Sequence, residues 1–178
     1  GDRVRDNRCP RGGPAEEGAT RSGSKRVSEA VPRALIDTNV WISAFINPHG
    51  LPARVLGAFL EGRFVPVVSQ SLLDEIREVL NRPRIRRRLR LGERDLATVL
   101  DLLRDRAVGV VPTGVLRLCR DPGDDFILEA ALLAHAQFAV SRDDDLKRDP
   151  DLMARLREQG VEVLSVAQFL ERLEQSQV

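Results

Sequence analysis

Short β-branched runs alternate with helix-length amphipathic stretches along most of this chain, and that alternation constrains its fold more than any other feature. "RALID" (33–37), "FVPVV" (64–68), "VGVVP" (108–112), "QFAVS" (137–141) and "VEVLS" (161–165) read as five strands. Pro66 is a mild objection to the second, because proline cannot donate to a ladder. Between and after them, "PARVLGAFLEG", "SQSLLDEIREVLN", "GERDLATVLDLLRDRA", "DDFILEAALLAHA" and "VAQFLERLEQ" carry apolar residues at helical spacing. Gly62 marks the end of the first of these helices, and Ser69 has the chemistry of an N-cap for the second. Strands separated by helices imply a parallel sheet covered on both faces, hence an α/β protein. With 178 residues, 42% of them hydrophobic, one domain with a real core is expected. That domain spans residues 31–178. Residues 1–30 are rich in Gly, Arg, Ser and Glu without apolar periodicity and are expected to form a disordered leader.

Several function classes drop out. No apolar run approaches the ~20 residues needed to span a bilayer, and no signal-peptide hydrophobic region is present. Cys9 and Cys119 form no C-x-x-C or Cys/His ligand set, so neither a zinc site nor a disulfide framework is expected, and the default setting is reduced and cytoplasmic. There is no G-x-x-x-x-G-K-[ST] loop for a nucleoside triphosphate and no G-x-S-x-G nucleophile elbow. His49 and His135 have no neighbouring partner for acid–base work. A phospho-aspartate enzyme commonly carries a second acid two residues after the nucleophile, where this chain has Asn39 after Asp37.

The acids remain. Ligands of a parallel sheet bind outside the carboxyl ends of its strands. Asp37 interrupts the apolar stretch "LIDTNVWISAF" at the end of the first strand, and Asp143 follows "QFAVS", so both point to one crevice. Glu75 lies on the margin of the stripe formed by Leu72, Leu73, Ile76, Val79 and Leu80. Asp121, Asp124 and Asp125 gather at the first turn of a helix, where capping and the helix dipole alone give them a reason to exist. Like charges converging on one crevice repel each other, and pKa shifts or bound cations must relieve the strain. Hard divalent ions such as Mg²⁺ take oxygen ligands, and a pair of them can activate a water and stabilise the leaving oxygen in phosphodiester hydrolysis.

"ALIDTNVWISAF", "VVSQSLLDEIREVLNRPRI", "CRDPGDDFILEAALLAHAQFAVSRDDDL" and "VEVLSVAQFLERL" resemble the PIN-domain family, in particular bacterial and archaeal members described as toxin components of toxin–antitoxin pairs. The resemblance runs over residues 33–173. It implies a Rossmann-like, three-layer α/β/α sandwich with a central, mostly parallel sheet, and a Mg²⁺- or Mn²⁺-dependent ribonuclease. It places the four acids on Asp37, Glu75, Asp124 and Asp143, with Asp124 preferred to Asp125 because Ile127 and Ala131 then match the apolar helix positions. As expectations, Asp37, Asp124 and Asp143 hold metal and Glu75 holds it or orients its water. Asn39 and Ser141 fix carboxylates or solvent, while Asp125 and Asp145 are outer candidates.

"NRPRIRRRLRLG" (81–92) carries Arg82, Arg84, Arg86, Arg87, Arg88 and Arg90, with Ile85, Leu89 and Leu91 as anchors. A solvated linker and a track for a phosphate backbone are both readings of it. The expected partners are an RNA substrate and, by resemblance, a small antitoxin and a second copy of the chain; no membrane is expected. Two rival functions stay open: a non-catalytic RNA-binding or protein-interaction module on the same fold, and a nuclease acting on DNA ends or flaps.

Overall fold

The computed structural model describes residues 31–89, 92–117, 122–142 and 150–176. Five parallel strands form one sheet in the order β3-β2-β1-β4-β5: β1 Arg33–Ile36, β2 Val65–Ser69, β3 Val108–Val110, β4 Phe138–Val140 and β5 Glu162–Leu164. The helices are α1 Thr38–Ile46, α2 Leu51–Leu60, α3 Gln70–Asn81, α4 Pro83–Arg86, α5 Glu93–Arg106, α6 Pro122–Leu133, α7 Pro150–Glu158 and α8 Val166–Gln175.

Successive strand residues face opposite sides, and both sides are apolar. Ala34, Ile36, Val68, Val140 and Leu164 join a core with residues of α1, α2, α3, α5 and α8. Leu35, Val67, Ala139 and Val163 join a second core with α6 and α7. This is the expected three-layer α/β/α sandwich. Trp41, Phe59, Phe64, Phe169 and Phe138 run in series through the first core, with ring centroids 5.1–6.3 Å apart. Removing a ring from such a chain, as in Phe169→Ala, typically costs about 3–5 kcal/mol.

Pro66 sits inside a central strand without breaking it. The Val65 N–H donates to the Pro32 carbonyl on the β1 side, so the next residue's nitrogen faces β3, where pairing begins only at Val67↔Val108. Gly62, at φ 72°, closes α2: its N–H reaches the Phe59 carbonyl and the Arg63 N–H reaches that of Ala58. Ser69 ends β2 and caps α3, its hydroxyl accepting the Leu72 N–H at 3.1 Å.

Two helices were not foreseen. In α1, Thr38, Val40, Trp41, Ala44 and Phe45 are all buried, which leaves little polar face to reveal the period. In α7, Leu156 is the anchor, buried against the second core with Met153 partly covered beside it, too few apolar residues for a clear pattern. No helix among the described residues is long and apolar enough to cross a membrane.

A candidate carboxylate crevice at the carboxyl ends of β1 and β4

The chain leaves β1 for β2 on one side and, after β3, returns to β4 on the other. That reversal opens a crevice where parallel α/β sheets place their ligands. Asp37 stands there. Its N–H extends the β1–β4 ladder to the Val140 carbonyl at 2.9 Å, and the residue then caps α1. Oδ1 accepts the Asn39 N–H at 3.2 Å, and Oδ2 accepts the Ser141 hydroxyl at 3.0 Å. Ser141 directly follows β4, so adjacent strands jointly orient the carboxylate.

Glu75 comes from the other side. It lies in the second turn of α3 on the exposed margin of the helix, where its Oε2 accepts the Thr38 hydroxyl at 2.9 Å. Thr38 is the neighbour of Asp37, so the two acids flank one residue. On the same helix, Asp74 pairs with Arg77 at 3.7 Å and Glu78 with Arg82 at 3.0 Å. Asp37 and Glu75 have no ion pair of that kind among the described residues.

Asp37, Glu75, Ser141 and Asn39 therefore come together, although Asn39 reaches Asp37 through its backbone N–H while its side chain is exposed. Asp124 occupies the first turn of α6, the helix between β3 and β4 in the chain. Its side chain lies outside the described residues, as do Asp143 and Asp145. Asp125 is buried, only 2% exposed. Among the described residues no three ligand-type side chains gather into a metal site. Of the four expected carboxylates, the side chains of Asp37 and Glu75 are described.

The basic segment follows the far end of α3. From Glu75 to Arg82 the helix rises roughly 10 Å, too far for both to meet one phosphate. Ile85 and Leu89 pack against the core as anchors, Arg82 is tied to Glu78, and Arg87 Nε donates to the Pro83 carbonyl. Arg84, Arg86 and Arg88 are exposed, and Arg90 lies outside the described residues.

Two further side chains escaped the sequence reading. Thr38 carries no signal of its own in the sequence. Glu129 sits in the apolar run "FILEAALLA" of α6, which was a signal of the same kind as Asp37. Its Oε1 accepts the Thr113 hydroxyl at 2.5 Å and the Thr113 N–H at 2.9 Å, and its Oε2 accepts the Gly114 N–H at 2.8 Å. The Thr113 hydroxyl, then its N–H, hold the carboxyl below the ordinary Glu range; burial opposes them and the Gly114 N–H adds to them.

Among the described residues the donors of the crevice are carboxylate oxygens, which suit a hard divalent cation. Two acids with hydroxyl-fixed orientations, neither ion-paired among the described residues, fit such an ion.

Comparison with known proteins identifies the family. The sequence model of the family described as PIN domain matches residues 33–145. An uncharacterized protein of Methanocaldococcus jannaschii is 30% identical over 144 residues, covering 80% of this chain and 92% of that protein. No solved structure matches the chain.

Proposed function

The chain belongs to the PIN-domain family, and from that membership together with the crevice geometry we propose that it is a metal-dependent endoribonuclease. PIN domains are generally nucleases and generally use divalent metals, which supports a hydrolase acting on nucleic acid. The finer reading, RNA cleavage at a Mg²⁺ or Mn²⁺ site, rests on one observation above the rest. Asp37 and Glu75 flank Thr38 at the strand reversal, and among the described residues neither is ion-paired to a cationic side chain.

In this reading Asp37, Glu75, Asp124 and Asp143 hold the ion. Bound there, a divalent ion supplies positive charge and Lewis acidity to the phosphodiester. The Ser141 hydroxyl keeps Asp37 Oδ2 aimed, and the Thr38 hydroxyl does the same for Glu75, so neither carboxylate must reorient when substrate arrives. The Asn39 N–H stabilises the negative charge of Asp37 at Oδ1. Cleavage yields a 5′-phosphate and a 3′-hydroxyl. The arginines from Arg82 to Arg90 bind a more distant part of the strand. RNA is favoured over DNA flaps because flap nucleases of this kind usually carry long helical insertions, for which a domain of this size has no room. The resemblance to toxin components adds a biological role, cleavage silenced by a small antitoxin covering the acidic crevice.

A metal-supplemented assay comparing single-stranded RNA, structured RNA and flapped DNA tests the proposal. Single-stranded RNA should be cut, EDTA should stop cleavage, and Asp37→Asn should abolish it. Undiminished cleavage by Asp37→Asn refutes the site, and a preference for flapped DNA refutes the substrate.

A further inference from the structure

Beside Ser141 lies a pocket of about 400 Å³ that the carboxylate crevice leaves without a task. Leu51 and Pro52 at the start of α2 and Val166 and Ala167 at the start of α8 form its apolar walls, with Asn47 and Arg142 at its polar side. Its volume lies within the range that holds small organic ligands.

The hydrogen-bonding capacity around it is one-sided. Ser165 is committed to its own helix: its hydroxyl accepts the Gln168 N–H and its N–H donates to Gln168 Oε1. The Asn47 carbonyl oxygen accepts the His49 N–H at 3.1 Å. Ser141 also lines the pocket; its one charged group is the Arg142 guanidinium, joined by the Asn47 side-chain N–H₂, and no acidic side chain lines it among the described residues. The Arg142 guanidinium is also held in place, donating to the Ser43 hydroxyl at 2.8 Å. A cationic guanidinium beside apolar walls, with no acid among the described lining residues, favours a ligand with anionic oxygens and a flat, weakly polar body. A nucleotide has both.

Its place in the chain sets which nucleotide. Arg142 follows Ser141, whose hydroxyl holds Asp37. A strand whose phosphodiester lies against Asp37 and Glu75 therefore brings its next residue to Arg142. We propose that this pocket seats the nucleotide adjoining the scissile bond of single-stranded RNA, with Arg142 on its phosphate and its base against Leu51, Pro52, Val166 and Ala167. The inference rests on the ribonuclease reading and adds a positioning residue to it. No aromatic ring lines the pocket, so the base is held by apolar contact rather than stacking, and preference among bases is weak.

The test is binding of a labelled single-stranded oligoribonucleotide in EDTA, where nothing is cleaved, across a salt series. Arg142→Ala should weaken binding about tenfold and lower the salt slope by about 0.7, the share of one phosphate contact on a single strand. Arg142→Lys should recover part of both. Ala167→Glu is the second variant: Ala167 is exposed in the first turn of α8, where a carboxylate suits the helix, so the fold is kept while the new charge repels phosphate. It should weaken binding to a similar extent. Wild-type affinity in both variants overturns the proposal, and so does a loss in Arg142→Ala with an unchanged salt slope. Cleavage surviving in Asp37→Asn would sink the carboxylate site and leave this measurement standing. An inert Asp37→Asn with wild-type binding in Arg142→Ala sinks the pocket alone.

Discussion

Asp37 and Glu129 are both carboxylates set into apolar stretches, and both are nearly buried, at 8% and 9% exposure. Their surroundings make them opposites. Glu129 accepts from the Thr113 hydroxyl and from the backbone N–H groups of Thr113 and Gly114, all in one loop. It fastens residues 113–114 to α6 and has little left to offer a ligand. Asp37 receives one backbone N–H and one hydroxyl, and a second acid, Glu75, stands across Thr38 from it. Burial of a carboxylate is thus no guide to its task. What it accepts from, and whether another acid stands near, separates the clasp at Glu129 from the metal ligand proposed at Asp37.

Four measurements sharpen that contrast. The largest effect is expected at Asp37: Asp37→Asn should lower metal-dependent RNA cleavage by at least about a hundredfold, since even outer partners of a metal site cost 10–100-fold. Asn caps a helix about as well as Asp, so the metal-free melting temperature should hold, while the stabilisation that added Mn²⁺ is expected to give the wild type should vanish. If Mn²⁺ still raises the melting temperature of Asp37→Asn as it does the wild type, the contrast with Glu129 is broken. Next come Asp124→Asn and Asp125→Asn, compared side by side. The first should match Asp37→Asn in lost activity, and the second should mainly lower stability; the reverse result moves the metal ligand to Asp125.

Ser141→Ala and Thr38→Val should each lower cleavage about 10–100-fold by freeing a carboxylate to turn away, and Thr38→Val should do so without changing affinity for RNA in EDTA. Wild-type rates in both would show that the hydroxyls have no positioning role. The smallest effect on activity is expected at Glu129. Glu129→Gln should keep its cleavage rate but melt at a lower temperature at neutral pH. Because hydrogen bonds lower the folded-state pKa of Glu129, its stabilisation is complete above the ordinary value near 4.5 and is lost as pH falls through the lower folded value. The gap in melting temperature between wild type and Glu129→Gln should therefore close in acid; a gap that stays constant would refute the clasp.

Much of the molecule was legible from local pattern. The five strands, the Ser69 cap, the Gly62 stop and the helices that bury one stripe all follow from residue type and spacing. Asp37 was legible too, because a carboxylate at the end of a buried strand has few reasons to be there. Helices α1 and α7 were not, since one is apolar nearly all round and the other hardly apolar at all. Glu129 went unnoticed because a lone acid in a helix is common, and its meaning depends on a loop sixteen residues upstream that its own sequence neighbourhood does not reveal.

Taken alone, the order of residues determined the α/β class, the apolar strands buried on both faces, and a set of acids at strand and helix ends. Those properties depend on periodicity and on chemistry within a few residues. Only the tertiary structure decided which acids share a crevice. The order β3-β2-β1-β4-β5 brings Ser141 to Asp37 and packs α3 so that Glu75 meets Thr38, contacts across 104 and 37 residues. It likewise turned Glu129 toward a loop and set Arg142 beside a pocket. Hydrogen bonds act over about three ångströms, and strand pairing determines which distant side chains come that close.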